Sequence, residues 1–175
     1  TPTDGNIQNP PQDVEVPEGW KRYIGKDLAI QFDYPNEWHV YNKQRLMEED
    51  NQSPCVGFDP VIFATISKKE LGRCVGMSGG VGLLGDFTIY ELPSDIPIEN
   101  FVNTKNQTHK IKIDTVDTVK VFFTKDEPLP HRSQSVQIPL IYNHRNYVIE
   151  FRQSDLEGNY DPIFDEILST VHFLK

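Results

Sequence analysis

The sequence predicts an α+β domain in which a central, mostly antiparallel sheet is flanked by helices. Residues 28–34 alternate apolar and polar side chains, as a half-buried strand does, and Trp38 follows shortly after them. Two further strand-like runs surround a short polar stretch at residues 143–146, which predicts a hairpin. Residues 161–171 carry apolar side chains at helical spacing. Several strands, one inserted helix and one terminal helix are typical of this class.

Four strands are predicted in the N-terminal part of the chain. The first covers residues 20–24, and the second is the alternating run at residues 28–34. The third covers residues 38–42, where the ring of Trp38 is expected to enter the core. Residues 61–67 are rich in β-branched and aromatic side chains and form the fourth strand.

The middle of the chain combines strands with one helix. Residues 86–92 alternate cleanly and predict a strand. A helix begins at Pro97, because the fixed φ of proline suits the first turn. Strands are expected again at residues 109–113 and 118–124.

The C-terminal part predicts a hairpin followed by a helix. Strands at residues 135–142 and 147–153 flank a four-residue loop. The helix is capped by Asp161 and has Pro162 at its first position. Its apolar stripe consists of Ile163, Phe164, Ile167, Leu168 and Val171.

The length and the charge limit the organisation and the partners. A chain of 175 residues makes one domain, which we place at residues 19–175. Residues 1–18 are polar and proline-rich, and we expect a flexible tether to a removed membrane anchor. The net charge of −9, without a Lys/Arg cluster, excludes nucleic acid as a partner. The charge predicts a solvated acidic surface, or alternatively a docking surface for a basic partner or for cations.

Cys55 and Cys74 are the two cysteines of the chain. Both lie in stretches of turn-forming residues, and their spacing does not suit a four-ligand zinc site. In an oxidising compartment they would form a disulfide that contributes roughly 3 kcal/mol. Two free thiols are the alternative.

One stretch has the spacing of a cation site. Alternate side chains in a curved loop can converge on one cation. The weak cation candidates are Asp155, Glu157, Asn159 and Asp161. The glycine and glutamate positions of an EF-hand are not matched, so an acidic connection that caps the following helix is the alternative.

Other motifs predict little chemistry. Residues 80–85 fit G-x-G-x-x-G, but no strand-loop-helix unit surrounds them. Residues 51–53 and 106–108 fit the N-glycosylation triplet. The histidines are scattered, at positions 39, 109, 131, 144 and 172. No catalytic residue, cofactor or resident metal is therefore predicted.

The two ends of the chain resemble PsbP-like domains, which also occur in small bacterial lipoproteins. The opening of that family, Y-G-F-x-F-x-Y-P-x-x-W, is similar to residues 23–38, although the usual Gly-Phe is replaced. The closing helix of the family, ending in I-L-S-T-F-x-F, is similar to residues 167–173. The aromatic-rich strand around residues 147–151 also fits.

This resemblance implies a Mog1/PsbP-like α-β-α sandwich without shared catalytic residues. It implies a non-enzymatic, extracytoplasmic binding or assembly-accessory domain, monomeric, with an unknown protein partner and with contact to a membrane only through the anchor. Two alternatives stay open. One is a hydrolase that uses scattered histidines and carboxylates, and the other is a relative of the photosystem II extrinsic subunits.

Overall fold

The computed structural model describes residues 15–42, 63–68, 86–94, 96–101, 106–123, 135–152 and 162–174. The strands in these residues are β1 (Trp20–Gly25), β2 (Ile30–Pro35), β3 (His39–Asn42), β4 (Phe63–Ser67), β5 (Phe87–Leu92), β6 (Gln107–Ile113), β7 (Val116–Phe123), β8 (Ser135–Tyr142), β9 (Arg145–Arg152) and β10 (His172–Phe173). The same described residues include the α-helix α1, which covers Ile163–Ser169, and the 3-10 helix η1, which covers Ile98–Phe101.

The strands form two antiparallel sheets. The small sheet has three strands in the order β1-β2-β10. The large sheet has seven strands in the order β3-β4-β5-β9-β8-β7-β6. Within the described residues, β3 and β6 are therefore the edges of the large sheet.

The main core lies between the two sheets, and we call the side of the large sheet that faces it the inner face. Phe32 of β2 meets Phe87 of β5 with ring centroids 5.4 Å apart. Phe164 of α1 stacks on Phe151 of β9 at 5.0 Å. Trp38 is 6% exposed and meets the ring of Phe164 edge-on at 6.2 Å. The predicted burial of Trp38 is confirmed.

The opposite, outer face of the large sheet has a smaller apolar cluster. Phe63, Tyr90, Leu92 and Val148 are buried there, and Ile96 and Ile98 next to and within η1 pack against them. The segment from β5 to η1 thus covers part of this face. Alternating side chains place the two clusters on opposite sides of the same strands.

The prediction of a helix-flanked α+β sandwich is wrong. The described chain is mostly antiparallel sheet, and the large sheet is covered on its inner face by the small sheet together with α1. The reason is that β2 buries Ile30, Phe32 and Tyr34 against the large sheet. Apolar area that helices cover in an α-β-α sandwich is covered here by another sheet.

Two local predictions also change. The second strand begins at Ile30, because residues 26–29 form a turn in which Ala29 has a positive φ of 52°.

The predicted four-residue loop of the β8–β9 hairpin is wrong. Asn143 and His144 alone form it, with φ of 47° and 62°, as a two-residue turn of the kind that matches strand twist. In place of the helix predicted from Pro97, the structure has the short 3-10 helix η1, which begins at Ile98.

The described helices include none that is long and apolar enough to cross a membrane.

Candidate functional site

A part-buried ion pair within the small sheet lies beside the end of α1. Asp33 is 1% exposed and accepts two hydrogen bonds from Arg22, at 2.7 Å and 2.9 Å. The Asp33 amide donates to the hydroxyl of Thr170 at 2.8 Å. The guanidinium and the carboxylate form a bidentate, hydrogen-bonded ion pair. The ion pair therefore joins β1 to β2, and the amide of Asp33 joins β2 to the end of α1.

A second cluster joins the β1–β2 turn to the large sheet. Arg145 donates to both carboxylate oxygens of Glu91, at 2.8 Å and 2.6 Å, and to the carbonyl of Asp27 at 2.6 Å. The Tyr147 hydroxyl donates to the carbonyl of Leu28 at 2.9 Å. Burial raises the pKa of Tyr147 to about 12, because the phenolate is poorly solvated there, although the charge of Arg145 opposes the shift.

A row of buried polar side chains crosses the outer face of the large sheet. Thr65, Thr88, Glu150 and Gln137 stand opposite one another on β4, β5, β9 and β8. The hydroxyls of Thr65 and Thr88 lie 2.7 Å apart, and the amide of Gln137 donates to Glu150 at 2.9 Å. These contacts fix strand register, since a one-residue slip would break them.

Strand β6 differs from these buried clusters because it presents its side chains to solvent. Ile113 is buried and Ile111 is half-buried, whereas the others are exposed. We call the exposed residues of β6 the basic edge: Gln107, Thr108, His109, Lys110 and Lys112. Lys110 and Lys112 form no ion pair with any side chain in the described ranges.

The hairpin that carries the basic edge is held firmly to the rest of the domain. A carboxylate oxygen of Asp114, in the β6–β7 turn, accepts a hydrogen bond from the Phe173 amide at 3.2 Å. Lys120 of β7 forms an ion pair with Asp165 of α1. The ring of His109 packs on Phe122 with centroids 5.0 Å apart. The basic edge is therefore exposed to solvent and also fixed to the rest of the domain.

Several predicted sites lie outside the described residues. These are Cys55 and Cys74, residues 80–85, and the cation candidates Asp155, Glu157, Asn159 and Asp161. The disulfide and the cation site stay predictions. The glycosylation triplet at 106–108 is described, and the side-chain nitrogen of Asn106 is buried, so the fold does not present it to solvent.

The described histidines do not gather into one site. His39 lies on β3, His109 on β6, His144 in the β8–β9 turn and His172 on β10. His172 is 3.7 Å from Asp114, whose carboxylate also holds the Phe173 amide. In the part of the chain that the structure describes, no three His, Cys, Asp or Glu side chains could jointly hold a metal ion. The hydrolase alternative stays a prediction.

The sequence predictions missed the basic edge. They identified a strand at 109–113 but gave it no role. The available signal was Lys110-x-Lys112, which places two like charges on one side of a strand in an acidic chain. What the sequence does not show is that this strand ends the sheet.

Comparisons with known proteins give one distant structural likeness. No family model matches the chain, and no curated protein matches it. The solution structure of cyanobacterial PsbP (CyanoP) from Synechocystis sp. PCC 6803 is similar, with a TM-score of 0.47 and 13% sequence identity. The match covers 97% of this chain and 99% of that one. That neighbour bears the name of the family that the chain ends resemble.

Proposed function

We propose that this protein is a non-enzymatic binding or assembly-accessory domain that acts outside the cytoplasm and docks a partner protein at its basic edge. The observation that carries the proposal is the exposure of His109, Lys110 and Lys112 on a firmly held strand. The chain has a net charge of −9, so this edge contrasts with the overall charge of the molecule. Such contrast steers an acidic partner to one place and orients it there.

The charge distribution along the chain supports a local docking edge. Residues 1–100 contain 16 Asp and Glu against 8 Lys and Arg, whereas residues 101–175 are nearly balanced. The basic edge belongs to the second part. A tether at residues 1–18 that leads to a membrane anchor is part of the same proposal, as is an oxidising compartment for the two cysteines.

Site-specific cross-linking in the source organism tests the proposal. A photo-reactive amino acid replaces Lys112, and a matched control carries it at Ile24, which is 56% exposed on the small sheet. We expect a discrete adduct from position 112 that disappears when Lys110→Glu is added, and none from position 24. Equal adducts from both positions, or none from position 112, would refute docking at this edge. Recovery of the native gene product in the cytosolic fraction would refute the proposed compartment.

A further inference from the structure

The β6–β7 hairpin determines to which side the backbone N–H and C=O groups of the basic edge point. β6 and β7 are joined by a two-residue turn, and Ile113 stands opposite Val116. The first and last residues of such a turn are joined by a backbone hydrogen bond. Hydrogen-bonded and non-hydrogen-bonded pairs then alternate along an antiparallel ladder. The N–H and C=O groups of Ile111 and His109 therefore face β7.

The intervening residues consequently point their backbone groups the other way. Thr108, Lys110 and Lys112 direct N–H and C=O groups toward the open side of β6, where no described strand pairs with them. Their side chains share the outer face, because Ile111 and Ile113 belong to the inner face. The Cα atoms of the two lysines thus lie roughly 7 Å apart, beside a row of backbone groups with which no described strand pairs.

We propose that the basic edge binds an extended segment of a partner protein as an additional strand, and that this segment carries acidic residues two positions apart. The inference rests on the proposed function and names the chemistry of the partner. Backbone groups supply the ladder, and side chains at alternate positions supply the selection. Acidic residues opposite Lys110 and Lys112 would lie on the outer face beside the two ammonium groups.

The residues of β7 that stand opposite the two lysines indicate which lysine contributes more to binding. Lys110 stands opposite Val119, and Lys112 stands opposite Asp117. Since cross-strand partners share one face, we expect the carboxylate of Asp117 to offset part of the charge of Lys112, and Lys110 to contribute more to selecting an acidic residue. Each opposite-charge cross-strand pair strengthens binding by up to about fivefold.

Binding of synthetic peptides tests the proposal. The probe is an eight-residue peptide in which aspartate or glutamate alternates with valine, labelled for fluorescence anisotropy. A control peptide has the same composition with the acidic residues grouped at one end. We expect the alternating peptide to bind more tightly, and we expect Lys110→Glu with Lys112→Glu to weaken its binding at least about tenfold.

A backbone variant separates strand addition from simple charge attraction. Thr108→Pro removes an N–H that faces the open side and keeps both lysines, and proline is tolerated on edge strands with that orientation. Thr108→Ala is its matched control. We expect Thr108→Pro to weaken peptide binding at least about threefold, through the lost hydrogen bond, while Thr108→Ala changes it little.

Two results would overturn the inference. Equal binding of both peptides, or of Thr108→Pro and Thr108→Ala, would mean charge attraction without strand addition. No peptide binding, together with dimers of a Lys110→Thr/Lys112→Thr variant in light scattering, would mean that the lysines only protect the edge against self-association. If cross-linking from position 112 still succeeds in either case, the binding domain stands and strand addition alone is refuted.

Discussion

Substitution of Trp38 by alanine tests the packing of the core between the two sheets. The side chain is 6% exposed, lies against Phe164, and has the ammonium of Lys68 5.4 Å from its ring centre. Truncation removes most of a large buried ring and leaves a cavity, because α1 is fixed to β2 through Thr170. We expect a loss of about 3–5 kcal/mol in the free energy of unfolding.

Urea denaturation followed by circular dichroism measures this loss. Trp20→Ala is the matched control, since Trp20 is half-buried at the margin of the same core and should cost less. A double-mutant cycle with Phe164→Leu should give a coupling of about 0.5–1.5 kcal/mol from the edge-on ring contact. A Trp38→Ala midpoint within experimental error of the wild type would refute the assignment of Trp38 to the core.

Two further predictions concern the small sheet and its junction with the large one. Gly25→Ala should destabilise the fold by about 1–3 kcal/mol in thermal unfolding, because an added Cβ would lie 2.7 Å from the ring of Tyr23; unchanged stability would show that this ring moves aside freely. The Tyr147 hydroxyl should keep its proton in the folded state to about pH 12, whereas the ordinary tyrosine pKa is about 10. Its contribution to the free energy of unfolding is therefore complete below pH 10 and is lost as the pH rises toward 12. Tyr147→Phe should therefore be less stable than the wild type at pH 8, by about 1–3 kcal/mol for the bond to Leu28, and the difference should shrink in urea titrations above pH 10. A difference that stays constant to pH 12 would contradict the raised pKa.

Much of the strand content could be predicted from local pattern. Alternation identified β5, and β-branched and aromatic side chains identified β4. Trp38, three residues after Pro35, was identified as a core position. These features depend on neighbours in sequence, so a single chain reveals them. The short turn at Asn143 was missed because two successive positive φ angles are uncommon outside Asn-Gly or Asp-Gly pairs.

The layering and the candidate site could not be predicted in the same way. Whether β2 covers the large sheet, or helices do, depends on contacts between residues far apart in sequence, such as Phe32 and Phe87. Likewise, the docking role proposed for Lys110 and Lys112 depends on β6 being the last strand of the large sheet within the described residues. The pattern of side chains along one strand does not show which strands lie beside it in the sheet.

Amide hydrogen exchange along β6 tests the central claim most directly, because it needs no partner. If β6 is an open edge, the amides of Thr108, Lys110 and Lys112 should exchange at least about 100-fold faster than those of His109, Ile111 and Ile113, which bond to β7. Uniform protection along the strand, or protection with the opposite alternation, would contradict the open basic edge and the function built on it.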